Sequence, residues 1–141
     1  MNRYDIQQIL GKPISSGRYG FPVEDRFFDD YGFFYTMFSN KNLLEAVEFF
    51  PEFTEEEITW IYGNEVIELS AGRENILNGL RKITDDLVQD EDEKENYTSK
   101  KLGVKFYNPN DDDDVVSLIV HDLHCYDEEE QYLKDLENGV E

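Results

Sequence analysis

The run Tyr31-Gly32-Phe33-Phe34-Tyr35-Thr36-Met37-Phe38 restricts the fold more than any other feature of this chain. It is too aromatic and too short for a helix, and rings of this kind suit a pleated, half-buried surface, so it reads as a strand. Ser39-Asn40-Lys41-Asn42 is a turn, and Leu43 to Phe50 returns as the second arm of a hairpin. The pattern recurs near the other end. Leu102-Gly103-Val104-Lys105-Phe106-Tyr107 is a strand, Asn108 to Asp114 a long acidic turn, and Val115 to His121 the return arm. Between the two hairpins, Thr54-Glu55-Glu56-Glu57 resembles a helix start, but the β-branched and aromatic Ile58-Thr59-Trp60-Ile61-Tyr62 and the Gly63-Asn64 turn favour strands at 58–62 and 65–69.

Helices take the remaining periodic stretches. Residues 3–10 place Ile6, Ile9 and Leu10 on one face before Gly11. A second helix opens at Ser70 or Gly72 and runs to about residue 87, with Ile76, Leu77, Leu80, Ile83 and Leu87 inward. A third, Asp127 to Glu137, carries acids over its positive dipole end and directs Tyr132, Leu133 and Leu136 inward. Residues 12–30, with Pro13, Gly17, Gly20 and Pro22, read as an irregular connection, and 90–95 as a solvated charged loop.

The two hairpins echo each other, with Gly32 and Gly103 lying 71 residues apart and a helix ahead of each. This reads either as two helix-plus-hairpin units sharing one sheet, over 1–70 and 71–141, or as the likeness any two hairpins have. Both readings give one α+β domain over 1–141: an antiparallel sheet of two hairpins plus an extra strand segment, flanked by helices.

Charge narrows the function. The chain has 33 acidic and 13 basic residues, a formal charge of −20. Residues 1–50 hold a net of −2 and residues 51–141 a net of −18. Such a field repels nucleic acid and anionic membranes and attracts cationic surfaces, although acidity also serves plain solubility. One cysteine, Cys125, allows no internal disulfide. The first residues lead into no apolar signal core, and no stretch approaches the roughly 20 apolar residues of a membrane span. These features lead us to expect a cytoplasmic protein, monomeric or homodimeric, with a basic protein partner and no direct contact to nucleic acid or membrane.

Catalytic chemistry finds little to stand on. His121 and His124 point to opposite faces of a strand, and with Cys125 they lack the further well-spaced ligands of a zinc site. Asp111-Asp112-Asp113-Asp114 lacks the alternating ligands, central glycine and terminal glutamate of a calcium loop. Phosphate-cradling glycine motifs are absent from the sequence. Thirty-three carboxylates offer many accidental pairs for a hydrolase, and nothing singles one out. The aromatics from Phe27 to Phe38 suit core packing or partner contact, since base stacking would bring lysines and arginines where Asp29 and Asp30 stand. The expectation is a protein without catalytic residues, metal or cofactor.

Tyr31-Gly32-Phe33-Phe34-Tyr35, Leu44 to Phe50, Ile61 to Ser70, Leu102 to Tyr107 and Cys125-Tyr126-Asp127-Glu128 together resemble, across about residues 31–128, the small bacterial immunity proteins of polymorphic or contact-dependent toxin systems. The resemblance implies a protein that binds a toxin domain, often a nuclease, and blocks its active site. It carries no catalytic residues over. An acidic inhibitor complements the basic cleft of a nuclease on electrostatic grounds as well. The expected partner-binding residues are Asp90, Glu91, Asp92, Glu93, Asp111, Asp112, Asp113 and Asp114, with Tyr97, Tyr107 and Tyr126 as aromatic anchors. The alternative is an acidic mimic of nucleic acid that inhibits a restriction or CRISPR enzyme.

Overall fold

Helix α1 (Arg3–Leu10) starts where the Asn2 side chain accepts the Asp5 N–H at 2.9 Å, a cap that satisfies one of the helix's orphan donors. It belongs to a computed structural model that describes residues 1–20, 25–91, 95–108, 116–123 and 127–137. The stretch that follows is not the irregular connection its glycines and prolines suggest. It holds two paired strands, β1 (Ser15–Tyr19) and β2 (Arg26–Asp30). Gly17 stands inside β1 because the Phe28 ring occupies the space of a side chain: a Cβ there would lie 2.6 Å from Phe28 Cε1. A glycine that looks like a turn signal is here a close-approach signal.

The hairpin expected at 31–50 forms as β3 (Phe34–Phe38) and β4 (Leu44–Phe49), with a register shift between Met37 and Phe38. A short 3-10 turn, Pro51–Phe53, leads to a second hairpin, β5 (Thr59–Tyr62) and β6 (Glu65–Glu68), joined through Gly63-Asn64. Helix α2 (Arg73–Ile83) ends four residues before the expected Leu87, because Thr84 adopts extended backbone. Two short strands then appear on either side of the charged run, β7 (Val88–Gln89) and β8 (Tyr97–Ser99). Strands β9 (Val104–Tyr107) and β10 (Ser117–His121) and helix α3 (Asp127–Glu137) complete the chain.

Among the described residues, eight strands form one antiparallel sheet in the order β1-β2-β3-β4-β10-β9-β8-β7, and β5-β6 stand as a separate pair. Each half of the chain therefore gives a helix followed by four strands in series, and the halves meet where Val47 of β4 lies opposite Val120 of β10. Gly32 and Gly103 precede the third strand of their respective halves, with φ of 96° and 69°. The sequence echo thus falls on equivalent places in the topology, and each half holds four strands instead of a single hairpin.

Alternation along the strands separates two faces. One carries Phe34, Val47, Phe49, Leu118, Val104 and Phe106 across successive strands. Its buried core joins Val104, Phe106, Val116 and Leu118 to Ile76, Leu77 and Leu80 of α2 and to Ile67 and Leu69 of the small hairpin. The other face buries Met37, Ala46 and Ile119, with Phe28, Tyr35 and Tyr107 packed against them. Two expected apolar stripes are not fully buried, although Ile6 of α1 is. Ile9 and Leu10 of α1 are exposed and border an open apolar cavity of about 360 Å³ beside Phe33 and Phe49. Leu133 and Leu136 of α3 are 55% and 52% exposed, since neither core cluster draws on that helix. No helix among the described residues is long and apolar enough to cross a membrane.

Candidate functional site

Three carboxylates, one buried and two half-buried, are each tied to a different part of the fold. Asp29 of β2 is fully buried and faces α1. Arg3 donates from Nε and Nη2 at 3.2 and 2.6 Å, Gln7 Nε2 at 2.8 Å and Ser16 Oγ at 2.7 Å. Burial alone would push this carboxyl up, but the bonds from Arg3, Ser16 and Gln7 outweigh it and hold the group below the usual carboxylate range. Arg3 and Gln7 are one helical turn apart, so one face of α1 presents both donors. Asp29 is a clamp that fixes α1 to the first half of the sheet.

Asp86 plays the same part in the second half. It accepts from Thr84 Oγ1 at 2.5 Å, from the Lys101 backbone N–H at 2.9 Å and from Ser99 Oγ. Burial opposes its charge, yet these donors and the Lys101 charge lower its pKa to about 2. Glu48 of β4 behaves oppositely. Burial pushes its carboxyl up, and the single bond from Ser117 Oγ at 3.0 Å offsets this only in part. It lies between Tyr35 and Ile119 across the strands. Acid–base work on a glycoside or ester calls for a second carboxyl or a nucleophile held in register, whereas among the described residues the hydrogen-bond partner of the Glu48 carboxyl is Ser117. Among the described residues no group of three or more His, Cys, Asp or Glu is placed to hold a metal ion.

The expected partner-binding residues fall apart in space. Asp90 and Glu91 are exposed beside β7, on a groove of about 400 Å³ that also carries Lys100 and Lys105. Tyr97 is half-buried: its ring meets Phe106 and lies under the Arg81 guanidinium, 5.9 Å from the centroid. Tyr107 is half-buried on the opposite face of the sheet, against the Met37, Ala46 and Ile119 cluster. Both rings serve packing, and the sheet separates them. Asp92, Glu93, Asp111, Asp112, Asp113, Asp114 and Tyr126 lie outside the described residues, as do His124 and Cys125. His121 Nδ1 lies 2.7 Å from the Asp122 carbonyl.

A different acidic surface stands out. Glu52, Glu55, Glu56 and Glu57 are all exposed on the approach to β5. Two exposed acids elsewhere have cations: Glu74 meets Arg73 at 2.5 Å and Asp85 meets Lys101 at 2.8 Å. Among the described residues, the four glutamates of 52–57 have no cation within ion-pairing distance. Neither the run of glutamates nor its helix-like start marks this as a surface, because the β-branched residues after it turn the chain into a strand instead. Neither a protein-family model, nor a curated protein, nor a solved structure matches the chain.

Proposed function

We propose that this protein is a non-catalytic binding protein of the immunity type, which docks on a basic toxin domain such as a nuclease and neutralises it. The observation that supports this is the uncompensated charge: exposed glutamates at 52–57 without internal cations, within a half of the chain that carries a net of −18. Asp29 and Asp86 are satisfied by the chain's own donors, whereas the glutamates of 52–57 remain available to a partner. The toxin as partner rests on the resemblance of residues 31–128, and the basic character of the partner rests on electrostatics.

The test is affinity capture of the tagged protein from its own cells at low and at moderate salt, read by mass spectrometry. One dominant basic protein that survives moderate salt, and whose toxicity in cells is relieved by co-expression of this chain, is the expected result. Capture of several DNA-processing enzymes that DNA competes off would replace the reading with nucleic-acid mimicry. No specific partner at either salt would overturn both.

A further inference from the structure

We infer that the β5–β6 hairpin is a docking strand pair for an extended, basic partner segment in which lysines or arginines alternate with β-branched apolar residues. The inference rests on the basic-partner reading above and gives it a surface. In β5–β6, Trp60 lies opposite Ile67, and both turn toward the core of α2 and the sheet. The alternate pair, Ile61 opposite Val66, faces outward and is 66% and 57% exposed. Phe53, 64% exposed, precedes the hairpin and adds to the apolar surface of this region.

The backbone adds a second feature. Leu69 N–H donates to the Ile58 carbonyl at 2.8 Å, so the pairs at 60/67 and 62/65 exchange the ladder bonds. The N–H and C=O groups of Thr59 and Ile61 then point away from β6. Among the described residues no strand pairs with that edge of β5. An unpaired edge next to an exposed apolar pair is a template for strand addition.

Charge selects the occupant. Glu55, Glu56 and Glu57 lead directly into β5 without cations of their own, and Glu68 stands opposite Thr59 on the outward face. An apolar centre with an acidic border is the usual anatomy of a protein interface, with the border fitted to cations. The two edges of the large sheet fit this occupant less well. Strand β1 presents Ser15, Ser16 and Arg18, and the two-residue β7 lies beside Lys100 and Lys105.

The probe is a blocked peptide of about nine residues alternating lysine and valine, titrated into the isotope-labelled full chain. Its control has the same charge, with proline at two central valine positions. Docking predicts slowed amide exchange at Thr59 and Ile61, and affinity at least about tenfold weaker for the proline peptide and for Ile61→Lys. Ile61 is exposed, so that variant keeps the fold. Equal binding of both peptides, shifts centred on Asp90 and Glu91, or no binding at low salt would overturn the hairpin assignment. The outcome is separable from the function. A captured basic partner held equally well by Ile61→Lys overturns the surface and leaves the partner reading intact. Peptide docking without any captured partner does the reverse.

Discussion

Replacing Gly103 by alanine is expected to disrupt the junction between β9 and β10 more than a positive φ alone can explain. Gly103 has φ 69°, and its carbonyl accepts the His121 N–H at 2.8 Å. A Cβ built there lies 2.3 Å from the His121 carbonyl oxygen, which is backbone and cannot rotate away. The positive φ costs an alanine about 1–3 kcal/mol. The overlap forces β10 to shift against β9, adding roughly another 1–3 kcal/mol by analogy with overpacked cores. Gly63 isolates the second part, since it has φ 58° and a Cβ there meets nothing within 4 Å. In urea unfolding, Gly103→Ala should lose at least about 1 kcal/mol more than Gly63→Ala. At a slope of about 1–2 kcal/mol/M this lowers the midpoint by about a further 0.5–1 M. Equal losses for the two variants would refute the steric part of the reasoning. A smaller loss at Gly103 would refute the register of β9 on β10.

Four further predictions concern the carboxylates Asp29, Asp86 and Glu48. Asp29→Asn keeps the shape but leaves Arg3 without its charge partner; we expect a loss of about 2–3 kcal/mol in chemical denaturation, less than for a wholly buried pair because Arg3 is partly exposed. Asp86→Ala, which removes the acceptor of Ser99, Thr84 and Lys101, should lose roughly 2–3 kcal/mol by the same assay. Both carboxyls are held below their ordinary pKa, so their stabilisation is present above the unfolded value. It is lost as pH falls, for Asp86 between 3.8 and about 2; a wild type whose stability stayed flat through that window would contradict the assignment. Glu48 has the opposite sign. Its raised pKa favours the folded state at low pH and that advantage is lost as pH rises through the folded value, so Glu48→Gln should gain on wild type as pH rises above the ordinary 4.5. A gap that stayed constant with pH would sink this reading.

Much of the sheet was legible because aromatic and β-branched runs bounded by turn residues have few other uses, as at Phe34–Phe38 and Val104–Tyr107. Strands β1 and β2 were not, because Gly17 signals a turn by itself and reveals its role only against the Phe28 ring. Strands β7 and β8 are two and three residues long, and their pairing comes from neighbouring strands instead of local propensity. The clamp at Asp29 needs contacts 22 and 26 residues away along the chain, which no local pattern encodes. Charge was legible as a total and only partly by location. The sequence directs attention to 90–95, where Lys100 and Lys105 share the groove, whereas the glutamates of 52–57 stand without cations.

The association rate of the purified protein with its captured partner, measured across ionic strength, tests the central claim most directly. The account predicts fast association at low salt, on the order of 10⁸ M⁻¹s⁻¹, that falls steeply as salt rises. The fall should be shallower when Glu52, Glu55, Glu56 and Glu57 are replaced by glutamine. A rate that does not change with salt in the wild type would contradict a protein that finds its partner by acidic charge.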